Sequence, residues 1–337
     1  MLVFLRLLFC LMGSAHVLAA PGLWPAAQTP LGNSGPGSRA VFPLPNNSAL
    51  VQPVLKDLSI ANMRETLTKY TAFPNRHHET PWGLIAQKWL YSKVIETAVV
   101  ASHKYGLPDV EEMHHAKWAQ NSIVARIRGS DPEAGVVILG AHLDSKNYQN
   151  PQGIAPGADD DGSGTVAILE VYRSLLAANF TPTRTVEFHW YAAEEGGALG
   201  SEEVARLYKG RDVNVVGQLQ MDGLAWVMKG TREEMAIAIP HSDSGLISFV
   251  QALIETYCKL PWVTFTPPNS AGSDHMMWTR QGYPAAWVAE GTFEHMGTYI
   301  HTENDRIDIS DEFSFEHMLE FAKLGVAYAI ELGRWEQ

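Results

Sequence analysis

Cysteine is almost absent from this chain of 337 residues, which contains only Cys10 and Cys258. Basic residues are also few, since 25 lysines and arginines stand against 37 acidic residues and give a formal net charge of -12. This balance, without a basic stripe, argues against nucleic acid or an anionic membrane surface as a partner. No internal repeat and no long apolar run occurs after the first twenty residues, so the sequence has no candidate repeat array or membrane span there.

The N-terminal residues have the proportions of a secretory signal. An apolar run with a single arginine, Arg6, is followed by small residues up to Ala20. The run is too short to span a bilayer comfortably, so we predict a signal peptide over residues 1–19, cleaved after Ala19, and an extracellular protein. An uncleaved anchor is the alternative. Cleavage removes Cys10 and leaves Cys258 alone, which excludes an intramolecular disulfide.

Residues 20–50 are rich in proline, glycine, serine and asparagine and carry little patterned hydrophobicity. We predict a poorly ordered leader or short pro-segment there, followed by one domain over residues 51–337. The chain is 46% hydrophobic, which is sufficient for one large α/β domain with a sizeable core. Asn46 and Asn179 occur in glycosylation sequons, the second of which is weakened by Pro182.

Beyond residue 50, the apolar spacing alternates between helical and extended periods. The predicted helices begin near Asp57 and then cover Pro81–His103, Ser163–Ala178, Ala198–Tyr208, Ser244–Tyr257 and Glu312–Leu332. The predicted strands cover Glu111–Trp118, Asn121–Ile127, Val136–Leu139, Arg184–Ala192, Val213–Met221 and Ala285–Ala289. Strands that alternate with helices predict the α/β class, a single globular domain with a mixed, mostly parallel, twisted sheet and helices on both faces. The first two strands form a hairpin that extends the sheet with antiparallel strands.

Three consecutive carboxylates stand in the segment Gly157-Ala-Asp-Asp-Asp-Gly-Ser-Gly164, between two apolar stretches. Carboxylates gathered near a core repel one another unless a cation offsets their charge. A solvated acidic turn and a calcium loop are the simpler interpretations of this segment alone.

Histidines and carboxylates follow four of the predicted strands. In an open α/β sheet, ligands bind outside the carboxyl ends of the strands. The residues delivered to that edge are His142, Asp144, the aspartates from Asp159 to Asp161, Glu194, Glu195, Asp222 and His301. Two other pairs, His77-His78 and His114-His115, are interpreted as a surface loop pair and as ordinary strand positions.

Two histidines among carboxylates favour zinc over calcium, because calcium takes oxygen ligands alone. The ligand supply also exceeds that of one tetrahedral zinc with an open position. It suits two metal ions bridged by a carboxylate and a water, about 3.5–4 Å apart. The spare carboxylate, either Glu194 or Glu195, is then the general base on the bridging water. The remaining acids, Asp144, Asp159, Asp161, Glu303 and Asp305, are expected to leave the rim acidic and to favour a cationic substrate group such as a free α-ammonium.

From about residue 55 to its end, the chain resembles the secreted co-catalytic di-zinc aminopeptidases of the leucyl aminopeptidase type. The matching segments occur in the family's order and are Gly140-Ala-His-Leu-Asp-Ser145, Ala155-Pro-Gly-Ala-Asp-Asp-Asp-Gly-Ser-Gly164, Ala192-Ala-Glu-Glu-Gly196, Gln220-Met-Asp222 and His301-Thr. The resemblance implies the zinc-exopeptidase fold, related to the phosphorylase/hydrolase-like fold, for residues 51–337. It also implies a secreted zinc metalloaminopeptidase that acts on peptides or proteins and favours leucine or other apolar residues at their N-terminus. We expect the protein to be a monomer.

The resemblance assigns a role to each site residue. It implies His142 and Asp222 on one zinc ion, Glu195 and His301 on the other, and Asp160 bridging both, so that two Zn²⁺ are bound per chain. Glu194 takes the position of the general base, and Asp144 matches a carboxylate that orients a ligand imidazole from outside the metal shell. The stretch Ser273-Asp-His275 resembles a segment near the substrate.

The chain departs from the family just before that stretch. In the segment that precedes it, family members carry a small disulfide and a tyrosine thought to assist the tetrahedral intermediate. Residues Thr266–Gly272 contain neither cysteine nor tyrosine. Assistance to the oxyanion, other than from zinc, is therefore unassigned.

Three other functions remain open from sequence. A glutaminyl-peptide cyclotransferase has a related fold and ligand set with one zinc, and the segment from His142 to Lys146 resembles it as well. A carboxypeptidase of the same fold would need an arginine or lysine for the substrate carboxylate, which the sequence does not locate. A catalytically inactive binding module would lack ligands or the base, and none is missing here.

Overall fold

The computed structural model describes residues 42–100, 106, 109–268 and 271–335. The predicted signal peptide and residues 20–41 of the predicted leader lie outside the described residues. The remainder of that leader packs on the domain, because the amides of Asn46 and Asn47 donate to the Glu331 carboxylate at 3.1 and 2.9 Å. Phe42 also stacks on Phe249 with 5.6 Å between ring centroids. The domain therefore begins before the predicted boundary at residue 50.

The helices and strands alternate along the chain, as the apolar spacing predicts. The main helices are α1 (Ser48–Leu55), α2 (Ile60–Tyr70), α3 (Pro81–Val100), α4 (Gly164–Ala177), α5 (Leu199–Gly210), α6 (Ser244–Tyr257), α7 (His275–Arg280) and α8 (Phe315–Gly333). The strands are β1 (Val110–Met113), β2 (Ser122–Ile127), β3 (Val136–His142), β4 (Thr185–Tyr191), β5 (Val215–Met221), β6 (Met235–Ala238), β7 (Trp262–Phe265) and β8 (Ala285–Ala289).

These strands form one eight-stranded mixed sheet in the order β1-β2-β4-β3-β5-β8-β6-β7. The central strands β4, β3, β5 and β8 are parallel to one another. The hairpin of β1 and β2 joins one side through an antiparallel pairing with β4, and β6 pairs antiparallel with β8 on the other side. The predicted fold class is confirmed.

Helices cover both faces of the sheet, so the central strands are buried. On one face α4 and α8 pack together through residues such as Leu175 and Phe321, which are fully buried. On the other face, Ala205 of α5 and Trp278 of α7 belong to a smaller cluster with Ile138 of β3. None of the described helices has the length and apolar content needed to cross a bilayer.

The structure corrects three details of the predicted elements. Strands β6 and β7 were not predicted, because each has only four residues and so gives little periodic signal. The short helices α1 and α7 were not predicted either. Strand β1 ends at Met113 and not at Trp118, because the chain leaves the sheet and His115 bonds Glu203 at 2.7 Å and Ser122 at 2.8 Å.

Candidate active site

The carboxyl ends of the parallel strands bring the predicted site residues to one edge of the sheet. His142 is the last residue of β3, Glu194 and Glu195 follow β4, and Asp222 follows β5. His301 reaches the same place from the loop after β8. All of them are buried except His301, which is half-buried. The structure therefore brings together residues that are far apart in sequence, as the strand topology predicts.

Asp160 lies between the two histidines and presents one carboxylate oxygen to each. Its Oδ1 is 2.9 Å from His142 Nε2, and its Oδ2 is 2.8 Å from His301 Nε2. His142 Nε2 lies 3.6 Å from Asp222 Oδ1, and His301 Nε2 lies 3.1 Å from Glu195 Oε2. The arrangement consists of two donor groups, each with one histidine and one carboxylate, that share Asp160.

The electrostatics of this cluster follow from its excess of carboxylates. Burial opposes protonation of His142 and His301, but the acids around them, chiefly Asp222 for the first and Glu195 for the second, raise both pKa values well above the ordinary one. Burial likewise opposes ionisation of Asp160, yet His301 and His142 lower its pKa. Protonation of the two imidazoles is thus favoured, because it offsets the negative charge of the surrounding carboxylates.

The two neighbours of Asp160 have different partners, although all three aspartates are buried. Asp161 accepts the backbone N–H groups of His142 and Gly164 at 2.9 and 2.8 Å. Asp159 accepts the N–H of Ala225 at 2.9 Å. Asp161 also lies within ligand distance of His142, but its two oxygens already hold backbone amides. Only the middle aspartate faces both histidines.

Asp144 touches both the histidine and the loop that carries the glutamates. Its Oδ1 lies 3.5 Å from His142 Nδ1, and its two oxygens accept the N–H groups of Glu194 and Glu195 at 2.9 and 3.2 Å. The sequence suggested the first contact and not the second. His78 Nδ1 lies 3.8 Å from Asp144 Oδ2.

The prediction of a surface position for the pair His77-His78 is wrong. Both side chains are buried, and their rings stack at 4.4 Å. The His78 ring packs against Gly196, which has no side chain. A Cβ at Gly196 would lie only 2.9 Å from the ring, so the glycine leaves room for this buried position. The pair therefore packs behind the glutamate loop.

Glu194 is buried and lines the cavity at this edge of the sheet. Burial raises its pKa well above the ordinary value, and the charges of Asp274 and Asp222 act in the same direction against the opposite effect of His142. A buried carboxyl with a raised pKa beside a ligand cluster is the environment of a general base.

Two further residues hold the site aspartates in place, one through a carboxylate and the other through backbone N–H groups. Neither role was predicted from the sequence. Ser273 Oγ donates to Asp222 Oδ2 at 2.5 Å. Asp305 accepts the N–H groups of Asp159 and Asp160 at 2.9 and 3.1 Å. The prediction of an acidic rim is therefore wrong for four of its residues, which are buried supports: Asp144, Asp159, Asp161 and Asp305.

The cavity has a volume of about 270 Å³ and combines acidic and apolar walls. Its apolar lining includes Trp287, Phe293, Met296 and Ile300, and its polar lining includes Asp160, Glu194, Glu195, Asp222 and Glu290.

Two observations show that these residues fit zinc. Imidazole and carboxylate donor atoms lie within 4.8 Å of one another in two sets, one of His142, Asp161 and Asp222 and one of Asp160, Glu195 and His301. The buried Glu195 Oε1 also has no hydrogen-bond partner among the described residues.

Comparisons with known proteins agree with this geometry. The model of peptidase family M28 matches residues 122–324. The chain belongs to this family. This M28 peptidase is 42% identical to the leucine aminopeptidase 1 of Penicillium rubens over 84% of its own length and 74% of that protein. It is 30% identical to the LapA aminopeptidase of Legionella pneumophila, with a TM-score of 0.81 over 89% of this chain and 79% of that one.

The M28 peptidase also has the fold of the glutaminyl cyclase of Porphyromonas gingivalis. The TM-score is 0.64, over 81% of this chain and 98% of that one, and the identity is 18%. At this identity the likeness concerns the fold alone. The comparisons confirm the predicted family and the predicted enzyme class, a zinc-dependent aminopeptidase.

Proposed function

We propose that this M28 peptidase is a secreted, monomeric aminopeptidase that binds two zinc ions and releases leucine or another apolar residue from the N-terminus of peptides. The observation that carries the proposal is the position of Asp160 between His142 and His301, at 2.9 and 2.8 Å. A carboxylate shared by two donor groups is the arrangement expected of a two-metal site.

In this proposal His142 and Asp222 would hold one zinc ion, Glu195 and His301 would hold the other, and Asp160 would be a ligand shared by the two. When bound, zinc supplies a Lewis acid and lowers the pKa of a coordinated water to about 7. Asp144 keeps the loop of Glu194 and Glu195 in place through their backbone amides.

Glu194 is proposed to carry the proton. Its carboxylate accepts the proton that the attacking water loses and then donates it to the nitrogen of the leaving amine. Its burial beside the proposed ligands, in the wall of the cavity, places its carboxylate where it can reach the reacting groups. The carboxylates around the cavity attract the substrate's α-ammonium, and the apolar wall receives the side chain of the first residue.

Secretion and glycosylation are part of the proposal. They rest on the N-terminal apolar run and on the sequons at Asn46 and Asn179, both of which are exposed. N-terminal sequencing of the secreted protein should give a start at residue 20 or later, and a start at Met1 would disprove cleavage.

Hydrolysis of leucyl-alanine amide and of its N-acetyl derivative tests the activity. We expect cleavage of the free peptide only, loss of cleavage with a chelator, and recovery with Zn²⁺. A third substrate, N-acetyl-leucyl-alanine, has a blocked N-terminus and a free C-terminal carboxylate, and its cleavage would instead indicate a carboxypeptidase. Cyclisation of glutaminyl peptides without cleavage of leucyl peptides would indicate a cyclotransferase.

A further inference from the structure

Lys146 brings a positive charge into an otherwise acidic cavity. It is the only lysine or arginine among the described residues that line this cavity. Its ammonium donates to the backbone carbonyl of Glu195 at 2.8 Å and lies 5.1 Å from the centre of the Tyr148 ring. Tyr148 packs in turn against His301, with 4.1 Å between ring centroids. These contacts hold the ammonium at the cavity wall beside the proposed metal ligands.

The sheet order separates this charge from the apolar wall. Strands β3 and β4 lie on one side of β5, and β8 lies on the other. Lys146 follows β3, whereas Trp287 belongs to β8 and Met296 to the loop after it. Asp222, at the end of β5, lies between them. A substrate whose first side chain contacts Trp287 and Met296, with its scissile bond beside Asp222, can thus place its second residue on the Lys146 side of the cavity.

We propose that Lys146 binds a carboxylate on the second residue of the substrate, so that the enzyme favours dipeptides or peptides with an acidic second residue. This inference rests on the proposed aminopeptidase function. An ammonium has three N–H donors, and the carbonyl of Glu195 uses one of them, which leaves two for a carboxylate.

The rest of the cavity supports this choice of ligand. Its other charged groups include five carboxylates, those of Asp160, Glu194, Glu195, Asp222 and Glu290, so an anionic substrate group is repelled everywhere except near Lys146 or a bound metal. The volume of about 270 Å³ lies at the small end for ligand pockets, which suits a short substrate.

The test compares kcat/KM for leucyl-alanine and leucyl-alanine amide, which differ only in the terminal carboxylate. A second pair, leucyl-aspartic acid α-amide and leucyl-asparagine amide, places the carboxylate on the side chain. We expect the wild-type enzyme to favour the carboxylate form of at least one pair by roughly 10- to 100-fold, the scale of a hydrogen bond between charged groups, mainly through KM. In the second pair the acidic member is leucyl-aspartate with its α-carboxyl amidated and its side chain free.

Lys146→Met should bring that ratio close to one, and Lys146→Arg should retain part of the preference. Lys146 also holds the backbone of Glu195, but a disturbance there affects both members of a pair and cancels in the ratio. Lys209→Met is the matched control, because Lys209 is an exposed lysine near the C-terminal end of α5 and does not line the cavity. It should keep the wild-type ratio.

The pair that shows the preference identifies whether the terminal or the side-chain carboxylate is bound. Equal rates within both pairs for the wild-type enzyme would overturn the inference, even where no variant folds. An unchanged ratio in Lys146→Met would overturn it as well. Failure to cleave any leucyl peptide would instead refute the proposed function.

Discussion

Glu187 and Glu194 belong to the same stretch of chain, one within β4 and the other just beyond its end, and both are buried. Glu187 accepts hydrogen bonds from Arg126 at 2.7 Å, from the His189 ring at 2.8 Å and from Tyr208 at 2.6 Å. Burial opposes its ionisation, but the contacts with His189 and Arg126 lower its pKa to about 2. Its charge is neutralised by the protein itself.

Glu194 lies among other carboxylates, and its pKa shifts in the opposite direction. Burial and the nearby acids raise it well above the ordinary value, and the pKa of Glu195 is also raised by burial. No arginine is among the described residues that line that cavity, and Lys146 is the one lysine among them. The difference indicates which cluster needs an added cation. A buried carboxylate paired with its own arginine needs no further cation, whereas a surplus of carboxylates with two histidines is a donor set suited to a metal ion.

The largest effect is expected from Asp160→Asn, which removes the charge shared by both donor groups. We expect loss of zinc and a fall in kcat/KM of about 10³-fold or more, because a metal contributes several kcal/mol to the transition state. Elemental analysis and peptide hydrolysis check this. Glu187→Gln, in the other cluster, should retain both zinc and activity. Full zinc content in Asp160→Asn would show that this residue is not a ligand.

Glu194→Gln should lower kcat by about 10²–10⁴-fold, the scale of general acid–base catalysis, with little change in KM or zinc content. The amide keeps the size of the side chain and removes its basicity. Glu195→Gln is the matched variant and should lose zinc. If Glu194→Gln loses a metal and Glu195→Gln retains both, the roles of base and ligand are exchanged.

Glu187→Gln tests the other side of the comparison. It removes the buried carboxylate that pairs with Arg126, which keeps Asp109 and Glu111 as partners, and we expect the free energy of unfolding to fall by about 1–3 kcal/mol. Urea denaturation of the zinc-loaded wild type and variant measures the change. A loss of kcat without a loss of stability would contradict the structural role of this cluster.

The smallest effect concerns pH. Burial raises the pKa values of Glu290 and Asp305 to about 7 each, so the stability that these groups give is complete below their ordinary pKa and is lost as the pH rises through 7. Glu187 acts in the opposite sense, because its lowered pKa gives stability that is lost as the pH falls from about 4.5 toward 2.

We therefore expect the Tm of the chelated protein to fall by several degrees between pH 5 and pH 8, and zinc to reduce that fall. Thermal unfolding with and without Zn²⁺ checks this. An identical pH profile in both forms would show that the metal does not offset the charge of the site carboxylates.

The sequence was sufficient for the fold class and for the grouping of the predicted site residues at one edge of the sheet, because parallel strands deliver their final residues to the same edge. His142 and Asp222 are placed by this rule alone. The burial of His78 and Asp305 could not be predicted in this way, because both lie in loops whose position depends on packing between distant segments. Lys146 was visible in the sequence, but only the structure places it in the cavity.

The most direct measurement is the number of zinc ions per purified chain, determined by elemental analysis alongside activity. Two donor groups that share Asp160 lead us to expect close to two zinc ions per chain in the fully active enzyme. Full activity with one zinc ion, or with none, would refute the two-metal site and would favour a cyclase-like arrangement in the first case.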